Sequence, residues 1–233
     1  MLAAAIIDVD GVLLASPHQR AWREALVGFA DPEAFTTEIY QAVVAGKPRL
    51  AGARAALETL GVADVERQAP VYAARKQTHL MELIEAGQVQ AFPDALRFVE
   101  LLLTLKAPLA VASSSKNANT MLRMINLPGG GSLLEAFRVN VCGRDFSRGK
   151  PDPEIFDVAA RELGMAPAQC FVAEDAPAGI VAARAGGMKA LGVARLRDEV
   201  GLRKAHADLV VATLDDVDPV SLAKGQLRSR ASL

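Results

Sequence analysis

A parallel α/β sheet with helices on both faces, carrying a mostly helical insert near its start, follows from three features of the chain. From Phe92 onward, short apolar runs alternate with helical stretches of ten or more residues, the pattern of parallel strands joined by helical crossovers. Between about residues 16 and 87 the periodicity is helical and no strand pattern appears. At 233 residues, 51% hydrophobic and 23% charged, the chain can bury a large core with a smaller partner and is too apolar to be disordered. The expected division is a core from residues 1–15 and 88–233, with a helical insert at 16–87.

The elements read in order as follows. Residues 2–7 form an apolar run with the character of a buried strand, ending at "DVDG". Helical periodicity covers about His18 to Ala30. Asp31-Pro32-Glu33 then supplies an N-cap, an N1 proline and a first-turn acid for a helix expected to end at Gly46. "KPRLAG" reads as a break, a third helix runs to Gly61, and one or two more cover Ala63 to Ala86. "FPDALRFVELLLTL" is helical with Pro93 in its first turn, "APLAVASSS" is a strand ending in hydroxyls, and "KNANTMLRMINL" is helical. "LPGGGSLL" reads as a loop; its glycines neither follow a strand nor open a convincing helix, so they make a weak phosphate-loop signal. "RVNVC" is a strand, "DPEIFDVAARELG" a helix with Pro153 at N1 and Gly164 as its stop, and "QCFVAED" a strand. "APAGIVAARAG" is a helix, "MKALGVA" and "ADLVV" are strands, and "KGQLRSRASL" reads as a frayed tail.

The composition excludes several classes of function. A formal net charge of -1 with no Lys/Arg run gives no basis for nucleic acid or an anionic membrane as partner. Cys142 and Cys170 lie in apolar runs without metal-ligand spacing and read as buried small hydrophobes. No signal peptide or transmembrane run is present, so a cytoplasmic location is expected, as a monomer or weak homodimer acting on a small molecule.

In an open parallel sheet, ligands bind at the carboxyl ends of the strands. The residues at those ends here are Asp8 and Asp10, then Ser113, Ser114 and Ser115 before a helix, then Lys150, then Glu174 and Asp175. Hydroxyls beside a helix start, with a lysine, suit an anion. Four carboxylates suit a hard divalent cation with oxygen ligands. Like charges about 4 Å apart repel by roughly 4 kcal/mol per pair at an effective dielectric near 20, so a phosphate facing these carboxylates needs a bridging cation. Phosphoryl transfer is the chemistry that combines the two halves, with a carboxylate as nucleophile and a second one on the same loop moving protons.

"DVDGVL", "ASSSKN", "GKPDPEIF" and "AEDAPAGIVAARAGGMKALGV" resemble the four ordered motifs of the haloacid dehalogenase superfamily of phosphotransferases, spanning Asp8 to about Val193. The resemblance implies a doubly wound Rossmann-like core, an all-helical cap domain as the insert, Mg²⁺ as cofactor, and an aspartyl-phosphate. By motif match Asp8 is the nucleophile and Asp10 the general acid/base, whose backbone carbonyl also faces the metal. Ser113 holds the transferring phosphoryl group, Lys150 neutralises charge there, and Glu174 and Asp175 complete the metal site.

The insert is similar to the cap of the β-phosphoglucomutase-like subfamily, which implies a sugar phosphate as substrate. "PHQRAW" places His18 in control of the acid/base aspartate. "AGKPR" places Gly46 and Arg49, with the additional Lys47, on the distal phosphate, and "AARKQTHLMELI" turns Lys76 toward substrate. "ASSSKN" places Ser115, Lys116 and Asn117 against phosphate or sugar. Two departures stand out: "LLASPH" lacks the Asp-Ser/Thr pair usual after the first motif, and Gly52 stands where the subfamily often has serine. The expected activity is a Mg²⁺-dependent mutase, with a phosphatase using the same residues as its rival.

Overall fold

The computed structural model describes residues 2–195 and 198–230. Six strands form one parallel sheet: β1 (Ala4–Ile7), β2 (Leu109–Val111), β3 (Val139–Asn140), β4 (Cys170–Glu174), β5 (Lys189–Val193) and β6 (Leu209–Val211). Their spatial order is β3-β2-β1-β4-β5-β6. That is the doubly wound order, in which successive crossovers part to opposite sides of the first strand and leave a crevice at the carboxyl ends. Ile7 pairs with Val111 on one side and Ala173 on the other, so Asp8 leaves the sheet level with the ends of both neighbours.

All four residues of β1 and all five of β4 are buried, as central parallel strands covered on both faces must be. One core joins Ile6, Ala110 and Val172 to Phe156, Ala159 and Leu163 of α7 (Glu154–Leu163) and to Ile180 and Ala183 of α8 (Pro177–Ala185). Cys142 and Cys170 are free and buried, and burial pushes their thiols up to about 12 and about 11, which leaves them inert.

The chain divides into two compact units, one built from residues up to Ala15 and from Ala91 onward, the other from Ser16–Gln90. The second unit is helical: α1 (His18–Glu24), α2 (Thr37–Ile39), a π turn (Tyr40–Val44), α3 (Arg49–Thr59) and α4 (Val65–Glu85). Trp22, Leu26, Phe35, Val44, Leu57 and Tyr72 fill its core. The Tyr72 hydroxyl donates to the Trp22 carbonyl at 2.8 Å, so its polar end is satisfied inside that core.

Several local expectations need correction. The helix from His18 stops at Glu24, and the next residues form turns. Asp31 does cap, accepting from the Glu33 amide at 3.0 Å, but only a single 3₁₀ turn (Pro32–Ala34). The helix then restarts under Thr36, whose hydroxyl accepts from the Ile39 amide at 3.3 Å. The break after Gly46 is shorter than "KPRLAG", because Pro48 is itself the N-cap of α3. Pro153 is the N-cap of α7 and not its first residue. The expected helix with Pro93 in its first turn is α5 (Pro93–Thr104), and the helix after Lys116 begins only at Ala118 (α6, Ala118–Met124). Two short helices, α9 (Glu199–Lys204) and α10 (Pro219–Ala223), lack any apolar stripe long enough to show in the sequence. The tail is tied down where it was expected to fray: the Asp218 amide donates to the Arg228 carbonyl at 2.9 Å. Of the tail, residues 231–233 lie outside the described residues. No helix among the described residues is long and apolar enough to cross a membrane.

In the helical unit, the His79 ring lies between Glu24 and Glu82, and hydrogen bonds to these carboxylates hold its pKa above the ordinary value of 6.5. The imidazolium's stabilising contribution is therefore complete below 6.5 and is lost as pH rises through the raised value. Thermal melts between about pH 6 and pH 8 should show this loss in the native chain, and His79→Gln should flatten it.

Candidate active site

The turn after β1 is closed by its own backbone. The Val9 carbonyl accepts from the Leu13 and Leu14 amides at 2.9 Å, and the Leu14 carbonyl accepts from the Gly11 amide at 2.9 Å. Gly11 has φ +80°, and a Cβ there would lie 2.0 Å from Oδ2 of Asp175. Only glycine permits both the left-handed backbone and that approach. The Asp8 amide donates to the Ala173 carbonyl at 3.0 Å, which locks the start of the turn to β4.

Lys150 reaches this point from the segment after β3. Its Nζ donates to Oδ1 of Asp8 at 2.6 Å and to Oε2 of Glu174 at 2.7 Å, and it lies 5.0 Å from the centre of the Phe156 ring. All three charged side chains are buried. Loss of water would push the ammonium down, but the charges and hydrogen bonds of Asp8 and Glu174 outweigh this and raise it, so it stays charged. Burial raises the Glu174 carboxyl to about 7, the Asp8 charge adding to the rise and Lys150 opposing it. Burial also raises Asp8 and Asp175, Asp175 strongly, with neighbouring carboxylates adding to both shifts.

Asp8, Glu174 and Asp175 offer ligand oxygens within 4.8 Å of one another. Once ionised, the three carboxylates would exceed the one ammonium by two negative charges, which a single divalent cation would balance. All the donors are oxygen, which suits Mg²⁺ rather than a softer metal. Gly11 keeps the approach to Asp175 free of side-chain bulk. The donor set fits a hard divalent ion. The Asp10 side chain is not part of this trio.

Ser113 follows β2 and is buried, its hydroxyl accepting from the Ser115 amide at 3.0 Å. The Ser115 hydroxyl in turn accepts from the Asn117 amide at 3.3 Å, and Asn117 is the N-cap of α6. Lys116 is half-exposed and paired with Asp145. The Ser113 carbonyl accepts from the Gly143 amide at 3.0 Å, tying this turn to the end of β3.

Within the helical unit, Lys76 is buried on α4, its Nζ 2.9 Å from Nδ1 of His18 and 4.9 Å from the centre of the Trp22 ring. Loss of water, with the Lys76 and Arg49 charges adding, holds His18 well below its ordinary pKa, which favours a neutral ring beside the Lys76 ammonium. Arg49 opens α3, and Gly46, at φ +74°, turns the chain just before Lys47. A Cβ on Gly52 would meet Val44 at 3.2 Å and Trp22 at 3.5 Å, so this packing leaves little room for a serine there.

Gly11 and Gly179 were missed as site residues. A Cβ on Gly179 would come 2.1 Å from the Glu174 carboxyl carbon. Both stand inside the quoted motifs "DVDGVL" and "AEDAPAGIV", and the signal is a glycine within five residues of an acid.

Residues 2–187 match a family model described as a haloacid dehalogenase-like hydrolase. The chain is 32% identical over 197 residues to the fructose-1-phosphate phosphatase of Escherichia coli (strain K12), covering 82% of this chain and 96% of that one. It is similar in structure to an archaeal β-phosphoglucomutase of Pyrococcus sp. strain ST 04, with TM-score 0.74, 29% identity, and coverage of 97% and 98% of the two chains. A β-phosphoglucomutase of Clostridium difficile superposes with TM-score 0.78 at 25% identity, covering 97% of each chain.

The raised carboxyls set a pH dependence. Glu174 holds a proton in the folded chain between its ordinary 4.5 and about 7, so metal-free stability falls as pH rises through that window. The melting temperature in chelator should fall across it, and the rise produced by Mg²⁺ should grow with pH as the ion displaces protons. Glu174→Gln should weaken both trends. A chelated protein that gains stability across the same window would contradict the charge assignment.

Proposed function

Since the chain belongs to the haloacid dehalogenase-like hydrolases, we propose that it is a Mg²⁺-dependent sugar-phosphate phosphotransferase working through an aspartyl-phosphate on Asp8, with mutase activity of the β-phosphoglucomutase kind. The observation that carries the chemistry is the placement of Asp8 beside Lys150 and the Glu174–Asp175 pair at the mouth of the central strands. Asp8, Glu174 and Asp175, with the Asp10 carbonyl, would hold the ion, which supplies positive charge to a phosphoryl oxygen.

An Asp8 carboxylate oxygen forms a bond to phosphorus as the ester P–O bond breaks. Asp10 gives its proton to the leaving oxygen. In the second half, Asp10 takes the proton of the attacking hydroxyl, and the acyl-phosphate bond to Asp8 breaks. Lys150 keeps Asp8 ionised for attack, and the buried Ser113 hydroxyl steadies the phosphoryl group. Ser115, Lys116 and Asn117 contact the same group or the sugar.

The mutase reading draws on the helical unit. Arg49, joined by Lys47 and the Gly46 turn, grips the second phosphate of a bisphosphate, bidentate contact being the particular strength of a guanidinium. Lys76 and neutral His18 govern the sugar and the acid/base step. The structural likeness to β-phosphoglucomutases favours this reading. A second reading, hydrolysis by water attack on phospho-Asp8, is favoured by the near full-length match to a fructose-1-phosphate phosphatase.

Asp8→Asn should lower turnover of every phosphate ester by at least about 10⁴-fold. With Mg²⁺, β-glucose 1-phosphate and a trace of β-glucose 1,6-bisphosphate, the mutase yields glucose 6-phosphate ahead of free phosphate. Arg49→Ala should cut that isomerisation by about 10²-fold while leaving para-nitrophenyl phosphate cleavage nearly intact. Free phosphate from many sugar phosphates without isomerisation would establish the hydrolase instead.

A further inference from the structure

Arg195 lies just past β5, outside every motif discussed above, yet its guanidinium addresses the turn that carries Asp10. Nε donates to the Gly11 carbonyl at 3.1 Å and Nη2 to the Val12 carbonyl at 3.0 Å. Nη1 donates to Oδ2 of Asp94 at 3.0 Å, and the guanidinium carbon lies 3.8 Å from the centre of the Phe92 ring. Oδ2 of Asp94 is held in turn by the Thr213 hydroxyl and the Leu214 amide, each at 2.7 Å. Arg195 and Asp94 are both largely shielded, with side-chain exposures of 11% and 8%.

The backbone of the turn leaves a specific gap for this side chain. The Val9 and Leu14 carbonyls are used inside the turn, and the Leu13 carbonyl accepts from the Phe92 amide at 3.0 Å. The Gly11 and Val12 carbonyls are the two that Arg195 takes. Gripping both with one rigid planar group fixes the Gly11–Val12 and Val12–Leu13 peptide planes, one residue past Asp10, and a single ammonium cannot reproduce that fork.

We propose that Arg195 is a positioning residue for Asp10: braced by Asp94 and Phe92, it holds the Gly11–Val12 peptides so that the Asp10 carboxyl points at the leaving oxygen. This rests on the reading of Asp10 as the general acid. Misplacement by about 1 Å is enough to cost about 10²-fold in rate.

The test compares kcat/KM for two esters, nitrophenyl phosphate in its transfer to Asp8 and β-glucose 1-phosphate in its primed isomerisation. Para-nitrophenolate leaves without a proton, whereas turnover of β-glucose 1-phosphate, primed by the bisphosphate, needs Asp10 to take a proton from the attacking hydroxyl and to give one to the leaving sugar oxygen. Arg195→Lys and Arg195→Ala should lose about 10²-fold on the sugar phosphate and less than about 5-fold on the nitrophenyl ester. Amide exchange at Leu13 and Leu14 should quicken in both variants, while the melting temperature of Arg195→Lys stays close to the native one. Asp94→Asn, which removes the brace but keeps the arginine, should show the same split more weakly. It serves as the test if Arg195→Ala does not fold. Equal losses on both esters, or none, would overturn the proposal. Asp10→Asn separates the two claims. If it shows the split and the Arg195 variants do not, only the positioning role falls; if Asp10→Asn shows no split, the acid assignment falls and the positioning role with it.

Discussion

A buried ammonium between two buried carboxylates is the constraint around which the core unit is arranged. Lys150 touches Asp8 and Glu174 at 2.6 and 2.7 Å with almost no exposure of any partner. Charges in such a place are costly unless each is paired, and removing one partner of a buried pair costs about 3–5 kcal/mol. Stability therefore does not explain the arrangement, since apolar residues of similar size would serve as well or better. What the cluster does provide is an Asp8 carboxyl paired with an ammonium in a place largely shielded from water, beside two further carboxyls whose ionised forms a divalent cation would favour. Perturbed carboxyls gathered at a strand-end crevice are the mark of a reactive site, and those of Asp8, Glu174 and Asp175 are all raised.

The sheet makes this possible by register. Because β1 lies between β2 and β4, Asp8 emerges level with Ala112, the residue before Ser113, on one side and with Glu174 on the other. Parallel strands deliver all their carboxyl ends to one edge, so residues far apart in the chain meet there: Asp8 and Lys150 are 142 positions apart. Glycines do the fine fitting. Gly11 lets the turn pass against Asp175, and Gly179 lets α8 pass against Glu174. A methyl group at either position would displace a carboxylate.

The alternation of apolar runs and helices made the parallel sheet legible in the sequence, and the polar residues closing those runs marked the crevice. Asp8, Glu174 and Asp175 were readable because a charge ending a buried strand has few structural uses, and Lys150, ten residues past β3, through the resemblance of "GKPDPEIF" to a family motif. Other features depend on contacts that one-dimensional patterns do not carry. The early stop of α1 at Glu24 and the π turn at Tyr40–Val44 have no signal in local propensity, while Trp22 of the one and Val44 of the other belong to the same buried core. The tail is held by a backbone bond between Asp218 and Arg228, invisible to a reading of side chains. Arg195 and Asp94 are 101 positions apart and lie in no recognisable motif, so only their convergence on the Asp10 turn reveals them.

The central assignment is covalent transfer to Asp8, and it can be read directly. The protein is incubated with Mg²⁺ and β-glucose 1,6-bisphosphate, quenched, and reduced with borohydride, which converts an acyl phosphate but not a free carboxyl. Peptide mass spectrometry then locates the change. The expected result is reduction at Asp8 alone, dependent on substrate and absent in Asp8→Asn. Reduction at another carboxylate, or turnover that continues with Asp8 never modified, would contradict the assignment.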